Sequence, residues 1–406
     1  MPQRLAIDGG TPVRSARYPR WPAPGDAEVA AVERVLRSGN INYWTGSEGR
    51  ALETKCAASL GRAHAVAVAN GTLALELALR AFGIGAGDEV VVPARTFIAT
   101  ASAAVAVGAI PVVADIDPDS GNLTAETVAE VLGPRTRAVI PVHLGGWPVD
   151  MAPLLELAAG RDLVVIEDCA QAHGGAYRGR PVGALGSHAA AFSFCQDKIV
   201  PVGDGGLLVL DDKDAYRRAW EYKDHGKSMA KTSDPEFMSQ PGVFKFIADS
   251  FGSNWRLDEM SAAVARVGFA SLPVWHERRT GNALRLAEGL SGVPGIRVPL
   301  PGVDTVHAFY RLYARVVPEV LAPGWDRDRI VRSVAAEGVP CQYGTCAEIY
   351  REEAFAKAGL GPAGRLPGAS AAHETTLAFF VHPTIAAADV DDAVAAVVKV
   401  MEVAAS

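Results

Sequence analysis

The sequence predicts an α/β protein in which a mostly parallel sheet, covered by helices on both faces, is followed by a smaller C-terminal α+β domain. Three observations lead to it. The 406 residues are more than one compact core usually holds and suit two domains. Between residues 65 and 210, short runs rich in Val, Ile and Ala alternate with segments of helical period. Strands that are apolar on both faces belong to a parallel sheet between helix layers. After Asp211 the alternation stops.

Residues 1–25, rich in Pro, Arg and aromatic side chains, predict an irregular arm. Helical spacing runs over 26–36 with Asp26 in the N-cap role, and after a loop at 39–46 a second amphipathic helix ends near 60. Then come a strand at 65–69, a helix at 72–81 with Leu73, Leu77 and Ala81 on one face, and a strand at 89–92. A helix at 97–107, a strand at 110–115, a helix at 124–132 and a strand at 138–142 follow. A helix at 154–159 leads to a strand at 163–167 that ends at Asp168, and two more strands occupy 189–194 and 206–210. Residues 216–252 read as polar, aromatic and irregular. A long helix from 257 to about 289 precedes a strand near 310–316 and helices near 327–337 and 389–404. A boundary placed inside the long helix gives an arm (1–25), a large domain (26–268) and a small C-terminal domain (269–406).

Composition excludes several function classes. About half the residues are hydrophobic and a fifth charged, the balance of a globular protein with a large core. A net charge of −7 offers nucleic acid no basic footprint. The N-terminus has no apolar signal core. The most apolar stretch, 98–113, is broken by Gly and Pro and followed by Asp115 and Asp117, which fits a buried helix and strand and not a membrane span. Five scattered cysteines predict reduced thiols and a cytoplasmic location. Cys341 and Cys346 have no further ligand at metal-binding spacing, so no metal is expected.

Ligands of such sheets sit beyond the carboxyl ends of the strands. Asn70, Gly71, Thr72, His143, Asp168, Gln171, Ser193 and Lys198 all fall there. An amine at Lys198, between an apolar strand and a glycine-rich run, can form a Schiff base if its surroundings lower its pKa; a surface lysine is the other reading. Asp168 at the end of an apolar strand needs a cationic partner if buried. A protonated pyridine nitrogen would be one, and a helix N-cap is the alternative role. Asn70-Gly71-Thr72 opens a helix directly after a strand, where free N–H groups and the helix dipole favour phosphate. A plain capped helix explains the same residues. Ser193 could add a hydroxyl donor, and Phe97 could stack on a ring or belong to the core.

Together these blocks resemble the DegT/DnrJ/EryC1/StrS family of sugar aminotransferases, which are fold-type I enzymes dependent on pyridoxal 5'-phosphate (PLP). The resemblance spans nearly the whole chain. It is carried by Asn70-Gly71-Thr72-Leu73-Ala74-Leu75, Val92-Pro93 with Thr96-Phe97, Pro141-Val142-His143, the run from Glu167-Asp168 through Gln171 to His173-Gly174, Phe192-Ser193-Phe194 with Lys198, and Gly252-Ser253-Asn254-Trp255-Arg256. It implies Lys198 as the Schiff-base lysine, Asp168 as partner of the pyridine nitrogen and Gln171 beside the ring's phenolic oxygen. It also implies that Gly71, Thr72 and Ser193 hold the phosphate and that Phe97 stacks on the ring. Asn254 would reach the cofactor phosphate of a neighbouring subunit, making a homodimer with shared active sites.

The implied reaction moves an amino group from glutamate or glutamine to a keto-sugar. Cys195-Gln196-Asp197 before the lysine, and the run Tyr222–Ser228, resemble a nucleotide-sugar branch. Asp8–Pro12 with Trp21-Pro22 resembles a branch acting on keto-cyclitols and aminohydroxybenzoate precursors. His225, Lys223, Lys227, His307, Arg311 and Tyr350 are candidates for the acceptor pocket, each equally readable as solvated charge. A sugar dehydratase of the same family carries His in place of the lysine, which Lys198 disfavours. Gly359–Gly364 fits a dinucleotide-binding pattern but follows a helix, so it reads as a loop. No helix-turn-helix or basic segment supports a PLP-sensing regulator.

Overall fold

The computed structural model describes residues 3–242, 244, 245 and 247–405. Strands follow as β1 (His64–Val68), β2 (Glu89–Pro93), β3 (Ile110–Ala114), β4 (Thr136–Val139) and β5 (Val164–Asp168). A short hairpin of β6 (Ala176–Tyr177) and β7 (Arg180–Pro181) leads to β8 (Ala189–Ser193) and β9 (Gly206–Leu210). All but the hairpin join one seven-stranded sheet in the order β1-β9-β8-β5-β4-β2-β3. The pairings from β8 through β5, β4 and β2 to β3 are parallel; β9 alone runs antiparallel to both its neighbours.

The side-chain period of two explains why these strands read as nearly continuous apolar runs. Val91, Val139, Val165, Ala190 and Val209 point into one core layer. Their neighbours Val90, Val92, Ala138, Ile166, Ala189 and Leu208 point into the other. Apart from Arg137 in β4 both faces are covered, so almost no polar alternation is left in the sequence.

Three helices, α1 (Asp26–Ser38), α2 (Glu48–Leu60) and α3 (Gly71–Ala81), precede β2. Asp26 is not the N-cap of α1. Gly25 occupies that position, its N–H donating to Glu28 Oε2 at 2.9 Å, and Asp26 opens the first turn, where its charge suits the helix dipole. The helix expected over 97–107 is shorter, Ala99–Ala106, and leaves Phe97 outside it, 65% exposed. The helix expected over 124–132 covers only Ala125–Ala129, with Thr124 as its cap. The segment expected to be irregular from 216 begins inside a helix, Lys213–Lys223, capped by Asp212. Its polarity hid a buried stripe of Ala215, Ala219 and Lys223 at four-residue spacing.

After the large sheet a 32-residue helix, Glu259–Leu290, connects two cores. Ala262 and Ala265 near its start belong to the large core, whereas Ala283, Leu286 and Leu290 belong to a smaller one. That smaller core lies against an antiparallel sheet of order β10-β12-β14-β13, made by β10 (Ile296–Arg297), β12 (Leu312–Val316), β13 (Cys341–Gln342) and β14 (Thr376–Phe379). The intervening β11 (Thr305–Val306) pairs instead with the β6–β7 hairpin. Helices Arg327–Ala336 and Ala387–Ala404 cover the small sheet. The arm is tied down: Leu5 enters the small core, and the N–H groups of Ala6 and Val13 donate to the Glu337 carboxylate at 2.8 and 3.1 Å. Gly359–Gly364 lies in a loop after helix Glu353–Ala358. No described helix is long and apolar enough to cross a membrane.

Candidate active site

A cavity of roughly 1100 Å³ opens at the carboxyl ends of the central strands. Gly71, Thr72, Phe97, Asp168, Gln171, Ser193 and Lys198 all line it. Asp168 ends β5 at its floor. The carboxylate is buried and, among the described residues, accepts hydrogen bonds from Ala170 N–H (3.1 Å) and the Thr100 hydroxyl (3.0 Å). Burial pushes its carboxyl pKa up, against the opposing pull of those two donors and of the Lys198 charge. A carboxylate in this condition is stabilised by a cation brought against it.

Lys198 follows β8 in a turn held by two main-chain bonds. Its N–H donates to Cys195 O at 2.9 Å, and its carbonyl accepts from the Trp21 indole at 2.8 Å. The amine points into the cavity, 4.9 Å from the centre of the Tyr310 ring and 3.8 Å from Asp197 Oδ1. Tyr310 in turn donates its hydroxyl to Asp197, and Arg311 lies over the same ring at 4.3 Å. Gln171 is buried with its carbonyl oxygen taken by Gly145 N–H at 2.7 Å. Only its amide hydrogens remain to face a ligand.

Opposite the lysine, Asn70 caps α3 through its side chain, accepting from Leu73 N–H at 2.9 Å. The N–H groups of the first turn stay open toward the cavity, where Ser193 stands beside them. A Cβ on Gly71 would come 2.7 Å from Ser193 Cβ, so the two chains touch and only glycine fits. The Ser193 oxygen accepts from Cys195 N–H at 3.3 Å, leaving its own hydrogen to donate. The cradle therefore offers N–H and O–H donors to an anion, a carboxylate to a cation, an amide donor and an amine. These are the complements of a phosphate, a pyridinium nitrogen, a phenolic oxygen and an aldehyde, so the residues present fit PLP.

Several sequence-predicted residues stand elsewhere. His143 does not reach the cavity, contrary to its place among the strand-end residues. Its Nδ1 accepts from Val149 N–H at 3.0 Å, and Nε2 faces Glu167 Oε2 at 3.1 Å. Asn254 is exposed outside the cavity, bridged to Asp224, whose carboxylate pairs with Arg256 and Lys227. Of the acceptor-pocket candidates only Arg311 lines the cavity. Lys223 is buried against Glu53 (3.1 Å), His307 is stacked on Phe309, and Tyr350 is bonded to Glu348. The sequence marks Trp21 and Asp197 only by their branch resemblance and does not single out Tyr310. Tyr310 and Trp21 come from the small-domain strand region and the arm, and no local pattern links them to Lys198.

Glu167, next to the site, closes a buried network. It accepts from Gly183 N–H (2.8 Å), Leu185 N–H (3.2 Å), the Ser187 hydroxyl and His143. Burial alone would raise its pKa, but the bonds from His143, Ser187 and Gly183 outweigh burial and hold the carboxyl below its usual range. Its stabilising contribution is present above the unfolded carboxylate pKa and is lost as pH falls through the lower folded value. Glu167→Ala strands four buried donors, and urea unfolding at neutral pH is expected to show a loss of about 3 kcal/mol or more. The difference from the parent protein should shrink at acid pH; a constant difference at all pH values would contradict the network.

Residues 22–398 match the model of the DegT/DnrJ/EryC1/StrS aminotransferase family. The chain belongs to this family. It is a PLP-dependent aminotransferase. Among relatives, it is 38% identical to the dTDP-3-amino-3,4,6-trideoxy-alpha-D-glucose transaminase of Streptomyces venezuelae, over 87% of this chain and 86% of that one. It is 36% identical to the L-glutamine:2-deoxy-scyllo-inosose aminotransferase of Streptomyces kanamyceticus, over 82% and 78%. The solved aminotransferase from Psychrobacter cryohalolentis superposes with a TM-score of 0.90 at 44% identity, covering 93% of this chain and 97% of that one. The aminotransferase thus has the fold-type I architecture expected from its sequence.

Proposed function

We propose that this aminotransferase moves an amino group from glutamate or glutamine to the ketone of a nucleotide-linked sugar, with Lys198 and Asp168 as its catalytic pair. The observation that carries the reading is the placement of both on one cavity at the sheet's carboxyl edge, opposite the open N-terminus of α3. Bound PLP supplies the carbonyl that takes up nitrogen and the ring that withdraws negative charge. Asp168 holds a proton on the ring nitrogen. The Gln171 amide donates to the phenolic oxygen, the Gly71 and Thr72 N–H groups and the Ser193 hydroxyl hold the phosphate, and Phe97 covers the ring face. Lys198 Nζ removes the α-proton of the donor in the first half-reaction and delivers a proton to the acceptor's former carbonyl carbon in the second. Asn254 serves the cofactor phosphate of a partner subunit, making the working unit a homodimer. In a division into an arm (1–25), a large domain (26–268) and a small domain (269–406), the cavity is lined by the large domain (residues 69–204) and the small one (310–346), while the arm residues Tyr18, Arg20 and Trp21 line the recess beside it.

The acceptor reading is supported at the cavity mouth. Arg311 and Asp197 also line an adjoining recess of roughly 460 Å³ with Tyr18, Arg20, Trp21 and Phe380. Two guanidinium groups beside aromatic faces suit a diphosphate and a base. A keto-cyclitol acceptor is favoured instead by the Streptomyces kanamyceticus relative and by Asp197 and Asp204 on the wall, which suit a neutral polyol. The test loads the enzyme with PLP, adds glutamate or glutamine, and follows conversion of the visible band to the near-ultraviolet band of the pyridoxamine form. A chase with a dTDP-keto-sugar or a keto-inositol then identifies the acceptor by return of the visible band. Absence of conversion with both donors would reject the reading. Gly71→Ala is expected to weaken PLP binding about ten- to a hundredfold, because the new methyl displaces Ser193 from the phosphate at about 1–3 kcal/mol. Equilibrium titration with PLP measures this.

A further inference from the structure

Arg95 follows β2, next to the cavity-lining Thr96, but its side chain turns away from the cavity and is fully buried. None of its three guanidinium nitrogens has a hydrogen-bond partner among the described residues. Its contact is the Tyr313 ring, 4.7 Å away. A buried, unpaired cation is strongly unfavourable. The charges around it make this worse. Arg315 is buried with its Nε unpartnered, its other nitrogens donating to the Thr376 hydroxyl and to Asp119 O. Arg327 is buried beside them and pairs with Asp328, which lies more than half exposed. The Asp119 carboxylate is turned outward to Arg297. Burial pushes Arg95 down first, with Arg327 adding to it, and burial together with the Arg95 charge pushes Arg315 down to about 9. Three guanidinium groups thus share one buried region, and the two carboxylates named at its rim, Asp119 and Asp328, face outward.

A thin partition divides this region from the cavity. Tyr313, Thr345 and Cys346 line the cavity, and Tyr313 carries Arg95 on its ring. The ring is wedged between Gly145 and Gly344, where a Cβ would come within 2.5 and 2.4 Å of it, and its hydroxyl meets Thr345 Oγ1 at 3.2 Å. One side of Tyr313 is therefore held by a glycine-containing, largely exposed loop at 342–346, and the other by Gly145.

We propose that Arg95, backed by Arg315, forms an anion pocket behind Tyr313 that takes a carboxylate of the amino donor and of the keto acid it becomes. The inference rests on the aminotransfer reading above. A guanidinium presents two parallel N–H donors that match a planar carboxylate. The pocket lies behind the inner wall, away from the mouth where Arg20 and Arg311 suit a larger phosphate-bearing acceptor, and a carboxylate entering from the cavity would reach Arg95 by displacing the Tyr313 ring.

The test uses the PLP-loaded enzyme with glutarate, a dicarboxylate that cannot transaminate, and chloride as the inorganic control. Glutarate is expected to raise the melting temperature of the parent protein, and Arg95→Met is expected to abolish that shift. Without added anion, Arg95→Met should melt at or above the parent, since it removes an unpaired buried charge; a lower melting temperature would mark a purely structural arginine and overturn the proposal. In the donor half-reaction Arg95→Met should raise the glutamate KM at least tenfold, more than it lowers kcat, with Arg95→Lys in between. An unchanged donor KM overturns the pocket while leaving the aminotransferase reading intact. Equal stabilisation by chloride and glutarate would assign an inorganic anion and overturn the donor assignment. Failure of the parent protein itself to react with glutamate or glutamine would instead strike the aminotransfer reading.

Discussion

Lys198→Ala is expected to lose turnover by about ten-thousandfold or more while retaining the fold. The amine lies 4.9 Å from the centre of the Tyr310 ring and 3.8 Å from Asp197 Oδ1, and neither contact fixes the fold around it. The turn that presents it is fixed by main-chain bonds to Cys195 and by the Trp21 indole on its carbonyl, none of which uses the side chain. Truncation therefore removes chemistry and leaves the turn. General acid–base work by one positioned group contributes about 10²–10⁴-fold, and loss of the covalent attachment adds to it. The phosphate corner, Asp168 and Gln171 remain, so the variant should still bind PLP, but borohydride should no longer fix the cofactor to the protein. Single-turnover absorbance with glutamate measures the rate, and near-normal turnover would move the catalytic role to another amine.

Legibility from sequence followed the range of the interactions. The large sheet was readable because each strand is buried on both faces by its own residues, as in Val90-Val91-Val92, and each ends at a turn with a polar signature. Of the small sheet only β12 (Leu312–Val316), expected near 310–316, was readable. β10 and β13 are two residues long, too short for a period of two to show, and they exist because β12 and β14 lie between them. At the cavity, the lining residues at strand ends (Gly71, Asp168, Ser193, Lys198) were legible because position relative to a strand is local information. Tyr310 and Trp21 meet Lys198 across separations of more than 100 residues, and the chain offers no cue for such contacts. His143 sits at a strand end but is drawn inward by the Glu167 carboxylate, whose demand for donors is visible only once the Gly183–Ser187 loop folds over it.

Asp168→Asn is expected to separate stability from activity. In the folded protein the Asp168 carboxylate is buried with two neutral donors, and burial raises its pKa above the usual value. For an acid whose folded pKa is raised, ionisation opposes folding, so the apoprotein loses stability as pH rises from the unfolded carboxylate pKa through the folded one. Asparagine has nearly the same shape, and its carbonyl oxygen can keep the Thr100 or Ala170 bond without the charge. The variant apoprotein should therefore melt at or above the parent at neutral pH, and the pH dependence of the difference should vanish in acid. With PLP bound the sign reverses. The parent gains a buried ion pair with the ring nitrogen, whereas asparagine offers no charge to hold that proton. Breaking a buried pair costs about 3–5 kcal/mol, which corresponds to about a hundredfold to several-thousandfold in the rate of α-proton removal. Scanning calorimetry of apo and PLP-loaded forms, with half-reaction rates, reads both effects. A variant apoprotein far less stable than the parent would mean that Asp168 serves the fold. A variant with parent-like rates would mean that the ring nitrogen finds its partner elsewhere.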